Sequence, residues 1–141
     1  MTARCSEELE TKLPELEEQE EELSDAASVF NAAISSGGQR SEVVRALDLL
    51  VWHATHHFAS EERLMAATDY PWLHAHSAAH VGFIRELTRW KRRVDDDDNN
   101  VGVWVLLDLE YRIGTWLTEH RNSFDREFGM FCKPRGMPNS G

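Results

Sequence analysis

The stretch LETKLPELEEQEEELSDAASVFNAAI, residues 9–34, decides the fold class. Its apolar residues recur at alternating steps of three and four, the spacing that keeps one face of an α-helix turned toward a core. The positions on this face are Leu9, Leu13, Leu16, Glu20, Leu23, Ala27, Phe30 and Ile34. The pattern predicts a long amphipathic helix with one carboxylate, that of Glu20, on its core face.

Turn-forming residues divide the rest of the chain into three more segments with helical periodicity. The breaks fall at Ser35–Gly38, Asp69–Pro71 and Asp95–Asn100. No segment has the alternating pattern of a β-strand. We therefore predict an all-α protein, in which residues 1–131 form an up-down-up-down antiparallel four-helix bundle and residues 132–141 form a flexible tail.

Length and charge limit the classes of function. A chain of 141 residues, 41% of them hydrophobic, supports one domain with its own core. A formal net charge of −10 argues against nucleic acid and anionic membranes as partners. There is neither a membrane-length apolar run nor an export signal, so the expected location is the cytoplasm. The two cysteines, Cys5 and Cys132, fit neither a disulfide framework nor a CxxC metal site.

Side chains that can bind metals interrupt the core face of every predicted helix. In chain order they are Glu20, His57, Glu61, His76, His80, His120 and Asp125. Burying seven such groups without partners would cost more than the whole stability of a domain, about 5–15 kcal/mol. Metal ions remove this cost because they bind neutral imidazoles and neutralise carboxylates, and bundle cores commonly hold such sites.

The spacing of these residues suggests how they would share the ions. His57 and Glu61 are four residues apart, as are His76 and His80, so each pair can reach one ion from consecutive helical turns. The fourth-helix pair is separated by five residues, roughly 140° around an ideal α-helix. This wider angle favours contacts with two different ions.

Three stretches resemble the motifs of bacterial hemerythrins. They are HFASEE from His57, HSAAH from His76 and WLTEHRNSFD from Trp116. Together they supply the HxxxE, HxxxH and HxxxxD motifs of that family in the same order and spacing. The resemblance implies a four-helix bundle that holds two non-haem iron ions, oxo- or hydroxo-bridged when ferric.

The resemblance also implies a role for each matching residue. His76, His80 and His120 would bind one iron and His57 the other. Glu61 and Asp125 would bridge the two ions. O2 would bind at the iron held by His57.

The first helix departs from the family pattern. Hemerythrins resembling this chain have a ligand histidine after a glutamine, whereas this chain has Glu20 after Gln19. We therefore predict Glu20 as the seventh ligand, which gives four histidines and three carboxylates and favours ferric iron. Two alternatives are a solvated carboxylate at the core edge and a shifted register that places Glu17 or Glu21 there. His53, one turn before His57, is expected to line the pocket or support a ligand.

The resemblance implies a small O2-binding or O2-sensing protein with O2 as its ligand. The extra carboxylate and His53 favour the alternative of a di-iron oxidase or peroxidase, which would reduce O2 or H2O2 with electrons from a protein reductant. Ligand chemistry also leaves manganese or zinc open as the metal. A metal-free structural bundle is the weakest reading, because it leaves the buried polar groups uncompensated.

Overall fold

The computed structural model describes residues 2–96 and 101–132, apart from the side chains of residues 2–4 and 6. The helices are α1 (Thr2–Ser35), α2 (Arg40–Ala67), α3 (Leu73–Asp95), α4 (Val103–His120) and α5 (Arg126–Phe131), with a π-helical turn at Arg121–Asp125 between the last two. The described ranges contain no strand. The predicted all-α four-helix bundle is therefore confirmed. None of the described helices combines the length and apolar character needed to span a membrane.

The connections fall at the predicted breaks. Gly37 and Gly38 have φ angles of 121° and 65°, a left-handed conformation that glycine adopts at low cost and that ends α1. Asp69, with φ of 55°, closes the turn after α2. The third break begins where α3 ends, at Asp95, and its residues 97–100 lie outside the described part of the chain.

Two apolar clusters fill the bundle. The larger includes Leu23, Phe30, Leu47, Leu50, Phe58, Phe83, Leu87, Leu109 and Ile113. The smaller consists of Cys5, Leu16, Leu64, Met65, Tyr70, Phe128 and Cys132. Each fully buried large side chain contributes about 1.5–3 kcal/mol, so the larger cluster provides most of the driving force for folding.

Along each helix, at least one predicted metal ligand lies between these two clusters. On α1, Glu20 falls between Leu16 of the smaller cluster and Leu23 of the larger one. On α2, Glu61 falls between Phe58 and Leu64 in the same way. We call this band of polar side chains, at the level of Glu20 and Glu61, the polar layer. The fold thus brings the polar interruptions of all four helices to one level of the bundle.

Cys5 and Cys132 form a disulfide, with their Cα atoms 5.1 Å apart. The bond joins the first turns of α1 to the residue after α5, across 127 positions in sequence. The spacing of the two cysteines did not predict this bond, because their proximity depends on how the chain ends meet in the bundle. Cys132 was also assigned to the flexible tail, yet it is only 1% exposed within the smaller cluster. The remainder of that predicted tail, residues 133–141, lies outside the described residues.

Reducing this disulfide should lower the free energy of unfolding by roughly 3–5 kcal/mol, because the bond closes a long loop in the unfolded chain. The measurement is urea denaturation with and without dithiothreitol. Cys5→Ser is the matched control and should unfold like the reduced protein under both conditions. Equal urea midpoints for the oxidised and reduced forms would contradict this expectation.

Candidate metal centre

Five of the seven predicted ligands converge in the polar layer. One donor atom from each of five residues lies within 4.8 Å of the donor atoms of the other four; the residues are Glu61, His76, His80, His120 and Asp125. All of them are buried except Asp125, whose side chain is 21% exposed. The arrangement draws on α2, α3, α4 and the π-helical turn.

Three imidazole rings point the same nitrogen at one another. His120 Nε2 lies 3.1 Å from His76 Nε2 and 3.0 Å from His80 Nε2. A proton on His120 Nε2 can be donated to only one of these two neighbours, so at least one buried lone pair lacks a donor. A cation between the three nitrogens would satisfy all of them.

Glu61 spans the distance between this triad and His57. Its Oε1 lies 3.2 Å from His80 Nε2 and 3.8 Å from His76 Nε2. Its Oε2 lies 3.8 Å from His57 Nε2. The two oxygens of one carboxylate therefore face two different sets of histidine donors, as a bridging ligand requires.

The π-helical turn places Asp125 at the triad. Its Oδ1 lies 3.0 Å from His76 Nε2 and 3.3 Å from His120 Nε2. Ideal α-helical geometry predicted that His120 and Asp125 would diverge by roughly 140°. The wider π-helical turn, with hydrogen bonds from residue i to i+5, instead aligns residues five apart, and such turns occur frequently at functional sites.

Burial controls the protonation of the layer. Loss of solvation lowers the pKa of His57 from 6.5 to about 4 and that of His80 to about 2, so both rings are neutral at pH 7. Burial, followed by the charge of Asp125, raises the pKa of Glu61 well above its usual range. Burial acts in the same direction on Asp125, but the adjacent imidazoles of His120 and His76 outweigh it and lower the pKa of that carboxyl.

Glu62 fixes the orientation of His80. Its Oε2 lies 2.7 Å from His80 Nδ1, and its Oε1 accepts a hydrogen bond of 3.1 Å from Ser77 Oγ. A proton held on Nδ1 by this carboxylate leaves Nε2 free as a lone pair toward the triad. Phe58 stacks against the same ring, with centroids 3.8 Å apart and planes nearly parallel.

A second chain of contacts orients His57 from α1. Gln19 Oε1 lies 3.3 Å from His57 Nδ1, and Gln19 Nε2 donates to Ser60 Oγ at 2.9 Å. Arg63 also donates to this hydroxyl, at 3.1 Å. With Gln19 Oε1 as acceptor, His57 carries its proton on Nδ1 and presents Nε2 to Glu61.

Glu20 lies beside the polar layer but outside the converging group. Its carboxylate forms an ion pair with Arg121, the first residue of the π-helical turn, and is 32% exposed. Its negative charge nevertheless contributes to the raised pKa of Glu61, so the two carboxylates are close enough to interact. His53 is half-buried and makes an edge-to-face contact with Trp52. Neither residue shares a described hydrogen bond with the triad.

Gln19 and Glu62 had no predicted role. A signal for both was present in the sequence, because Gln19 directly precedes Glu20 and Glu62 directly follows Glu61. The partners themselves, His57 and His80, could be identified only from the packing of α1 and α3 against α2.

A comparison with known families agrees with this geometry. Residues 6–131 match the model of the hemerythrin HHE cation binding domain. The chain belongs to the hemerythrin family. The match covers all four long helices as well as α5, so the family assignment applies to the whole described bundle.

Two curated relatives of this hemerythrin-family chain are bacteriohemerythrins. The protein from Ralstonia nicotianae is 29% identical over 121 residues, which cover 81% of this chain and 85% of the relative. The protein from Stenotrophomonas maltophilia is 28% identical over 90 residues, covering 64% and 56% of the two chains. No solved structure matches.

The donor set of this hemerythrin-family chain fits metal ions. Glu61 Oε1 and Asp125 Oδ1 are buried and accept no aligned hydrogen bond among the described residues, although imidazole nitrogens lie 3.0–3.3 Å away. Unsatisfied buried oxygens beside converging imidazoles are costly without a cation. The chain therefore carries a metal-binding cluster whose ligands are histidine nitrogens and carboxylate oxygens.

Acid should destabilise the metal-free protein. Between pH 6.5 and about 4 the unfolded chain takes up protons on His57 and His80 that the folded chain excludes, so the free energy of unfolding falls as pH falls. The raised pKa of Glu61 acts oppositely, since its stabilisation is present below pH 4.5 and is lost as pH rises. Over this interval the two histidines exclude two protons and Glu61 retains at most one, so the free energy of unfolding should be lower at pH 4 than at pH 6.5.

Urea denaturation of metal-free protein at several pH values in this interval measures the effect. His57→Gln is the comparison variant, and its free energy of unfolding should depend less steeply on pH. A free energy of unfolding that stays constant from pH 6.5 to 4 would refute the expected linkage.

Proposed function

We propose that this chain binds two non-haem iron ions in the polar layer and uses them to bind O2, as an O2-binding or O2-sensing protein. The observation that carries the proposal is the position of Glu61, with one oxygen at the histidine triad and the other toward His57. Membership of the hemerythrin family supports the same reading.

We assign the ligand roles that the family resemblance implies, with Glu20 in the place of the first-helix histidine. His76, His80 and His120 would hold one iron, while His57 and Glu20 would hold the other. Glu61 and Asp125 would bridge the two ions. When bound, the iron pair supplies the electrons that O2 accepts.

The protein's own side chains make the two sides of the layer different. Toward the larger cluster, Phe58 covers His80 and Trp116 stacks on His120 with centroids 4.4 Å apart, so aromatic rings exclude water there. Toward α1 and the π-helical turn, Glu20 and Asp125 are partly exposed. We therefore expect O2 and protons to enter from this more open side, next to His57.

Glu20 has two alternative partners, which are Arg121 and an iron ion. In the ion pair, the guanidinium compensates the charge of Glu20 next to the buried carboxyl of Glu61. Because the pair is partly exposed, it is weak enough to break when a cation offers a stronger partner. Glu20 would then move from Arg121 to the iron on the His57 side.

The alternative function is a di-iron oxidase or peroxidase. It is favoured by Glu20, because a third carboxylate would stabilise ferric iron and make O2 binding less reversible. A carboxylate that can leave the metal for Arg121 would also provide a proton acceptor at the open side of the layer. A protein reductant would be the partner required by this alternative.

We also propose that the protein is cytoplasmic, and this location has a consequence for the two cysteines. Disulfides are rare in reducing compartments. In the cytoplasm Cys5 and Cys132 would be thiols packed against each other in the smaller cluster. The disulfide-bonded form would belong to oxidising conditions.

The functional proposal is tested by reducing the iron-loaded protein without air, adding O2 and recording the optical spectrum. We expect two iron ions per chain and a long-lived absorption band that appears with O2 and disappears under vacuum. An immediate return to the ferric spectrum, with turnover when H2O2 and a reductant are supplied, would instead establish the oxidase or peroxidase. A chain that retains no iron would defeat both readings.

The role of Glu20 is tested separately by Glu20→Ala. If Glu20 binds iron, this change should alter the ferric spectrum and lower iron affinity on the order of tenfold or more. Glu20→His should lengthen the life of the O2-dependent band, because a neutral ligand replaces an anionic one. Glu18→Ala is the matched control, since Glu18 is exposed on the same helix. An unchanged spectrum for Glu20→Ala would show that Glu20 does not bind the metal.

A further inference from the structure

A cavity opens on the outer face between α2 and α3 and borders the polar layer at His80 and Glu62. Its volume is about 670 Å³, and we call it the α2–α3 cleft. Its apolar surface comes from Phe58 and Ala59 on α2 and from Val81 and Ile84 on α3. Its charged surface comes mainly from α3. We propose that the α2–α3 cleft binds a free medium-chain fatty carboxylate, with its head group on α3 arginines and its tail on the apolar wall.

Three arginines on one face of α3 give this acidic protein a local anion site. Arg85, Arg89 and Arg92 line the cleft at helical spacings of four and three and are exposed. Over residues 2–96 and 101–132, no carboxylate lies within ion-pair distance of their guanidinium groups. The one acid that lines the cleft, Glu62, is already hydrogen-bonded to His80 and Ser77. Within that described part of the chain, the three positive charges are therefore available to a ligand.

The polarity of the cleft changes along its length. Val81 and Ile84 lie at the end near His80, whereas Arg89 and Arg92 lie at the other end of the same helix face. The eleven helical steps from Val81 to Arg92 extend over about 16 Å of helix. An elongated ligand with one anionic end and one apolar end matches this gradient, while a small inorganic anion would leave the apolar end empty.

A carboxylate suits the cationic end because guanidinium groups bind carboxylates through two parallel hydrogen bonds. The apolar tail would pass over Ile84 and Val81, the latter 46% exposed, and remove them from water. A lipid bilayer is a poorer partner, because the net charge of −10 would repel an anionic surface as a whole. A single molecule in the cleft instead meets the local positive charge.

The test is calorimetric titration of the intact, metal-loaded chain with decanoate below its micelle concentration. We expect saturable binding of one decanoate per chain. Decanol, which has the tail without the charge, and acetate, which has the charge without the tail, should each bind at least tenfold more weakly. Equal binding of acetate and decanoate would overturn the proposal, as would the absence of any decanoate binding.

Substitutions in the α2–α3 cleft test whether decanoate binds there. The double substitution Arg89→Ala and Arg92→Ala should weaken decanoate binding at least tenfold, and Thr55→Trp should block the cleft from α2. Arg93→Ala is the matched control, because Arg93 does not line the cleft and lies over the Trp90 ring at 4.9 Å. It should change the affinity less than twofold. Circular dichroism and metal content confirm that each variant remains folded.

Two further outcomes would overturn the assignment. Equal loss of binding in Arg93→Ala and in the double variant would show nonspecific attraction to positive charge. Stronger binding to phosphatidylglycerol vesicles than to decanoate would identify a lipid surface as the partner. Decanoate binding is measured by calorimetry without O2, and O2 binding is measured by the optical spectrum without decanoate, so each proposal can fail while the other stands.

Discussion

The stability of the bundle depends on offsetting the cost of burying a layer of ionisable groups between two apolar clusters. His76, His80, His120 and Glu61 are almost fully removed from water, and their mutual contacts cannot satisfy all of their donors and acceptors. Burial keeps His57 and His80 neutral, which also prepares their nitrogens to bind a cation. The loss of solvation that destabilises the metal-free fold therefore also favours metal binding.

Hydrogen bonds from residues around the polar layer orient the histidine rings within it. Glu62 on α2 holds His80 of α3, and Gln19 on α1 holds His57 of α2. Both act on Nδ1 and leave Nε2 directed inward. The ion pair between Glu20 and Arg121 leaves a partly exposed side, in contrast to the aromatic rings that close the opposite side. This asymmetry gives the centre a direction from which small molecules can approach.

Charge is distributed unevenly over this acidic protein. The first helix carries a run of glutamates, most of them exposed, whereas arginines collect along one outer face of α3. The acidic helix discourages association with polyanions as a whole. The α3 arginines nevertheless create a local positive surface next to apolar side chains. Global net charge and local charge thus select different kinds of partner.

The sequence by itself determined the helical class, the breaks between helices and the metal-ligand residue types, because each is encoded in local spacing along one helix. Tertiary structure decided which atoms meet. The π-helical turn aligned Asp125 with His120, the packing of α1 on α2 brought Gln19 rather than Glu20 to His57, and the meeting of the chain ends joined Cys5 to Cys132. Helical periodicity fixes the face on which a residue lies, but small changes in turn geometry and helix packing fix its partner.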